Sequence, residues 1–80
     1  MAAFLFEDLV LSRDILHGRE VIFEFMPVGM VMKVSAMDVE TLTEVIIQGP
    51  ATSPQALLKR NALKRLEYVL KKKGILKNTD

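Results

Sequence analysis

Residues 18–29 read GREVIFEFMPVG, and branched or aromatic apolar residues recur at every second position in the middle of this stretch. A period of two with these residue types predicts a β-strand. The alternation divides the side chains between two faces, with Val21, Phe23 and Phe25 on one and Ile22, Glu24 and Met26 on the other. Pro27 and Gly29 end the strand, because proline cannot donate to a sheet and glycine tolerates turn dihedrals.

Two further strands follow at short intervals. MVMKVSAMD, residues 30–38, and TEVIIQGP, residues 43–50, both alternate, and the polar segment between them suits a turn in which Asp38 bonds the following backbone. Connections this short favour an antiparallel meander. One face of this sheet would contain Met30, Met32, Val34, Ala36, Val45 and Ile47, and the other Val31, Lys33, Ser35, Met37, Glu44, Ile46 and Gln48.

A long helix is predicted after the third strand. Ser53 is a suitable N-cap, Pro54 suits the first helical position, and Gly74 suits the left-handed position beyond the helix, with Ile75 packing back on Leu70. Between these ends an apolar stripe recurs at spacings of three and four, formed by Leu58, Ala62, Leu66 and Val69 with Leu63 and Leu70 beside them. We expect this stripe to cover the sheet face that carries Phe23 and Phe25.

The sequence therefore predicts an α+β fold in which a three-stranded antiparallel β-meander has a long C-terminal helix packed on one face. Residues 19–76 would form this single domain, and 77–80 a flexible tail. Residues 1–18 would be an N-terminal extension, either partly disordered or forming a short helix near Phe4–Leu16. With that helix the element order becomes α-β-β-β-α.

The second face of the predicted sheet is too apolar for a fully hydrated surface. Its apolar members are Ile22, Met26, Val31, Met37 and Ile46. Two interpretations are open: the N-terminal segment folds over this face, or a partner covers it, most simply a second copy of the chain.

Charge is distributed unevenly along the chain. Residues 1–50 hold three basic and eight acidic residues, a balance of −5, and residues 51–80 hold eight basic and two acidic residues, a balance of +6. On the predicted helix Arg60, Lys64 and Lys71 share the face opposite the apolar stripe. Such a face is either a solvated helix surface or a contact for a polyanion, which would bind in a salt-dependent manner.

The residues of catalytic and metal sites are largely missing from the sequence. There is no cysteine and a single histidine, His17, which the sequence places in a turn rather than beside a nucleophile. Asp38, Glu40 and Glu44 lack the glycine and ligand order of a calcium loop, and the four isolated glycines form no phosphate-binding pattern. We therefore expect a protein that is not an enzyme and has no catalytic residue, no metal site and no cofactor.

The composition also bears on location. The sequence contains no run of about 18 apolar residues, which is the length needed to span a membrane. The first residues, MAAFLFEDLVLSRD, lack the basic flank and uninterrupted apolar centre of a signal peptide. Together with the absence of cysteine, this predicts a cytoplasmic protein without membrane contact.

Two resemblances bear on function. The order α-β-β-β-α resembles the double-stranded-RNA-binding domain, but only in order, since the first hairpin reads MPVG and the helix opens with SPQALLKR instead of a lysine cluster. VGMVMKVSAMDVETLTEVIIQGP followed by ALLKRNALKRLEYVL resembles a family of short uncharacterised bacterial proteins over residues 19–70. That second resemblance implies a small α+β cytoplasmic domain and no particular activity.

These observations predict a non-catalytic interaction module that uses its second sheet face to self-associate as a homodimer or to bind another protein. The alternative is a weak RNA- or DNA-binding domain of low specificity that uses the basic face of the helix.

Overall fold

The computed structural model describes residues 10–77, which form four strands and one helix. These elements are β1 Val10–Leu16, β2 Arg19–Val28, β3 Val31–Asp38, β4 Thr43–Pro50 and α1 Gln55–Lys72. The strands pair antiparallel in the order β1-β2-β3-β4, and α1 packs on one face. The predicted α+β class, antiparallel sheet and C-terminal helix are confirmed, but the sheet has four strands instead of three.

The additional strand is β1, where the sequence suggested part of a short helix near Phe4–Leu16. From Val10 to Leu16 this prediction is wrong, because every residue of β1 has a paired partner in β2. His17 and Gly18 connect the two strands with φ angles of 51° and 78°, the left-handed pair that a tight hairpin turn requires. Residues 4–9 of the predicted helix, and residues 78–80 of the predicted tail, lie outside the described residues.

The core lies between α1 and the inner face of the sheet, the face that carries Phe23 and Phe25. The apolar residues buried there come from the sheet and from the helix: Leu16, Val21, Phe23, Phe25, Val34, Ala36, Leu58, Ala62, Leu66 and Leu70. Leu58 and Leu66 therefore lie where the sequence predicts. Val69 is only half-buried, and Leu70 is fully buried instead, because it continues the four-residue spacing of the buried helical residues.

The two ends of α1 differ in how well they match expectation. Pro54, not Ser53, occupies the N-cap position, and no side chain caps the helix. Gly74 has a φ of 77° and donates to the carbonyl of Lys71 at 3.0 Å, while Ile75 donates to that of Leu70 at 2.9 Å. This pair of bonds is the Schellman arrangement, which confirms the predicted C-terminus.

Gly49 allows the start of α1 to approach the end of β4. A Cβ atom at Gly49 would lie 2.8 Å from Cδ2 of Leu58, closer than two such carbons can approach without movement. The absence of a side chain here lets the buried Leu58 pack directly on the strand.

Candidate interaction surfaces

The face of the sheet opposite α1, here called the outer face, gathers the apolar residues that the sequence singled out. The register places Ile22 opposite Met37, Met26 opposite Lys33, and Ile46 opposite Ser35. Val31, paired with Val28 and Pro50, lies at the far end of the same face. Four of the five are half-buried, and Ile46 is 59% exposed. In residues 10–77 the only helix packs on the other face, so no described helix covers this surface.

Charged residues lie at both edges of the outer face. One row across the sheet runs from Arg13 through Ile22 and Met37 to Glu44. Arg13 also forms an ion pair with Glu20 at 3.1 Å. The row therefore begins with a cation on β1, ends with an anion on β4 and is apolar between them.

The three predicted polyanion ligands of α1 are not equivalent in the structure. Arg60 and Lys64 are exposed, whereas Lys71 is partly buried and its Nζ lies 3.7 Å from Oε2 of Glu67. The same Glu67 oxygen lies 2.7 Å from Nε2 of His17. The hydrogen bond from His17, followed by the charge of Lys71, lowers the pKa of Glu67. Glu67 thus joins the β1–β2 turn to the helix and engages one of the three predicted cations.

Lys59 is a further helical cation that is used within the fold. Its Nζ donates to Oγ of Ser12 at 2.7 Å and lies 3.8 Å from the Asp14 carboxylate. The ammonium also lies 5.0 Å from the centroid of the Phe23 ring. Ser12 and Asp14 interrupt the apolar alternation of β1. Their polar side chains are accepted at inner-face positions because the Lys59 ammonium binds them.

Arg65, Lys72 and Asn61 form a basic flank of α1 that is apparent from the helical spacing, but the exposed Tyr68 between the two cations was not predicted from the sequence. Tyr68 is 53% exposed, with the Arg65 guanidinium carbon 5.7 Å and the Lys72 Nζ 5.8 Å from its ring centroid. Residues three and four apart meet on a helix surface, so the spacing of these side chains was the available signal. With Asn61 and Lys64 they form what we call the Tyr68 ridge.

The Asp38 carboxylate is fully buried and holds the end of the sheet together. It accepts hydrogen bonds from Nε and Nη2 of Arg19 at 2.9 and 3.1 Å, and from the backbone and hydroxyl of Thr41 at 3.0 and 2.6 Å. These bonds lower the pKa of Asp38 to about 2, and the hydrogen bond from Arg19 has the largest effect. Glu40 lies 3.1 Å from the same guanidinium. Asp38 therefore stabilises the β3–β4 turn and is not directed toward a ligand.

The remaining polar side chains of residues 10–77 do not form a metal site. Within that range no group of three or more histidine or acidic residues could hold an ion. Asp38 and Glu40 instead share Arg19, and Glu44 lies on the outer face. The only helix of the described part is not long and apolar enough to cross a membrane.

Comparison with known sequences identifies a family. A family described as a domain of unknown function, DUF6898, matches residues 18–73, which is 56 of the 80 residues. The chain belongs to this family. The DUF6898 match begins at the β1–β2 turn and includes β2, β3, β4 and α1, while β1 precedes it. The predicted resemblance to an uncharacterised family is thereby confirmed, and no curated protein or solved structure gives a significant match.

Proposed function

We propose that this protein is a non-catalytic interaction module that self-associates through the outer face of its sheet. The observation that supports the proposal is the strand register, which gathers Ile22, Met26, Val31, Met37 and Ile46 on the face opposite α1. A small domain has little apolar surface to spare, so an apolar face without a helix favours a further packing partner.

Charge complementarity favours a second copy as that partner. A two-fold axis parallel to the strands, between β2 and β3, reverses the order of residues in the row that runs from Arg13 to Glu44. Arg13 of one copy then faces Glu44 of the second copy, and Ile22 faces Met37. Apolar contacts in the middle of the row would supply the stabilisation, and the charge pairs at both edges would set the orientation.

The size of the outer face indicates how strong this association is. Four strands spaced about 4.8 Å apart set the width of the sheet, and about eight residues at about 3.3 Å each set its length. The outer face therefore has an area of about 500 Å². Two copies would bury about 1,000 Å² in total, at the lower limit of specific interfaces. We therefore propose a reversible, concentration-dependent dimer.

We also propose a cytoplasmic location and a bacterial source for this module. The cysteine-free composition supports a cytoplasmic location, and the resemblance noted in the sequence supports a bacterial source. A role without catalysis is supported by the use of His17 and Asp38 in structural contacts.

Ile46→Lys is expected to convert the dimer to a monomer. The side chain is largely exposed near the middle of β4, so a lysine there disturbs the fold little but places two charges in the proposed symmetric interface. Sedimentation velocity over a concentration series, up to high micromolar, measures the association. The matched control is Leu42→Lys, the same change at an exposed position in the β3–β4 turn, which should dimerise as the unmodified chain does.

Two outcomes contradict the proposal. In the first, the chain sediments as a monomer at every concentration, both with and without residues 1–9. Alternatively, the full chain is monomeric and the chain without residues 1–9 dimerises, which would mean that the N-terminal segment covers the outer face. Circular dichroism of each variant verifies that the fold is kept.

A further inference from the structure

The cations of α1 that form no ion pair within residues 10–77 lie on its exposed side. Arg13, Arg19, Lys59 and Lys71 form ion pairs with acidic residues of the chain. By contrast, Arg60, Lys64, Arg65 and Lys72 form none with any residue between 10 and 77, and all four are exposed. The uneven charge of the sequence therefore becomes a basic surface on the far side of the molecule from the outer face.

Tyr68 lies within this basic surface, and its ring is accessible. The ring is more than half exposed, so it contributes little to the core, which the helix builds from Leu58, Ala62, Leu66 and Leu70. The two cations near the ring lie at 5.7 and 5.8 Å from its centroid, close to the limit of about 6 Å for a cation–π interaction. Such loose contacts leave the ring accessible to a flat partner that displaces one of them.

We propose that the Tyr68 ridge and the adjacent Arg60 bind single-stranded nucleic acid, with a base stacked on Tyr68. Arg60, Lys64, Arg65 and Lys72 would then lie against the phosphates. Base–aromatic stacking and a basic surface along the backbone are the two components of binding to single strands. A duplex keeps its bases stacked internally and could use only the cations. An acidic peptide would also bind the cations, but it has no base to place on the ring.

The number of cations determines how binding should depend on salt. Four phosphate contacts on a single strand give a slope of about −3 in log K against log salt, or about 50-fold weaker binding between about 50 and 200 mM salt. Because this surface offers one aromatic residue for stacking among residues 10–77, we expect modest affinity and little sequence preference.

The test is fluorescence anisotropy of the full chain with a labelled single-stranded oligonucleotide of about 12 nucleotides, titrated at two salt concentrations. Tyr68→Ala should weaken binding about tenfold with the salt slope unchanged, because stacking is lost and the charges remain. Tyr68→Phe keeps the ring and should bind as the unmodified chain does. Arg65→Ala should reduce the magnitude of the slope by about 0.7.

Lys33→Ala is the charge-matched control. Lys33 is an exposed cation on the outer face, so its loss lowers the net charge equally without changing the ridge. The proposal is overturned if Tyr68→Ala binds as tightly as the unmodified chain, or if Lys33→Ala weakens binding as much as Arg65→Ala. It is also overturned if polyglutamate or duplex DNA of equal charge competes as well as the single strand. Repeating the titration with Ile46→Lys, expected to bind equally, separates this result from self-association.

Discussion

Replacing Asp38 by alanine is expected to lower the free energy of unfolding by about 3 kcal/mol, since loss of one partner of a buried ion pair leaves the other uncompensated. The carboxylate is fully buried and accepts two bonds from Arg19 and two from Thr41. Without it, the guanidinium retains only the exposed Glu40, and the Thr41 amide loses its acceptor. A loss of this size is a large part of the stability of a small domain.

Glu40→Gln is the matched control for Asp38. It removes a carboxylate from the same guanidinium at a similar distance, but the Glu40 side chain is 73% exposed. Ion pairs at exposed positions contribute at most about 1 kcal/mol, and we expect a change below that value. Urea unfolding followed by circular dichroism measures both variants. Equal losses in the two variants would show that burial of Asp38 is not the source of the effect.

Stability should also fall in acid because of Asp38. Its pKa is about 2 in the folded chain against an ordinary value of 3.8. Because this pKa is depressed, the ionised carboxylate stabilises the fold at pH values above the pKa of the unfolded chain. The stabilisation is lost as the pH falls from about 4 toward 2. The difference corresponds to about 2 kcal/mol. Urea titrations over this range should show a steeper decline for the unmodified chain than for Asp38→Asn, and parallel declines would contradict the assignment.

Leu66→Ala is expected to cost about 2–5 kcal/mol, the range for truncating a fully buried leucine. Leu66 lies at the centre of α1 with no exposed surface, between the helix and the inner face of the sheet. The substitution leaves helix propensity nearly unchanged, so the loss reports packing against the sheet.

Leu57→Ala on the same helix is the control for Leu66→Ala. Its side chain is 39% exposed and lies outside the buried core cluster, so the same truncation should cost much less. Thermal unfolding of the two variants compares them directly. If both lose the same stability, α1 is not held to the sheet by its buried stripe.

The helix and the inner face were predictable because local patterns and tertiary packing agree there. The apolar stripe of α1, the alternation of β2 and the left-handed Gly74 each indicate the structure that forms. The prediction failed at β1, where Ser12 and Asp14 interrupt the alternation. Their polar side chains are accepted on the inner face because Lys59 reaches across from α1 to bind them, a contact between residues 47 and 45 positions apart.

The outer face and the basic surface of α1 also differ in how far they could be predicted from the sequence. The apolar set on the outer face follows from the alternation of the strands, so the sequence alone could group Ile22, Met37 and Ile46 on one side. For the basic surface of α1, the sequence alone could not separate the cations that bind other side chains of the fold from those that do not. The pair of Lys71 with Glu67, four residues apart on the helix, has a local pattern. The engagement of Lys59 by Ser12 and Asp14 of β1 does not.

The sequence by itself determined the α+β class, three of the four strands, the helix and the residues on each side of the sheet, because these depend on periodicities of 2 and 3.6 residues within short segments. Only the tertiary structure decided that β1 joins the sheet, that Asp38 is buried with Arg19, and which cations of α1 remain unpaired within residues 10–77. The Asp38–Arg19 pair and the hydrogen bond from Lys59 to Ser12 join separate elements, 19 and 47 positions apart in the chain, and such pairings have no local pattern in the sequence.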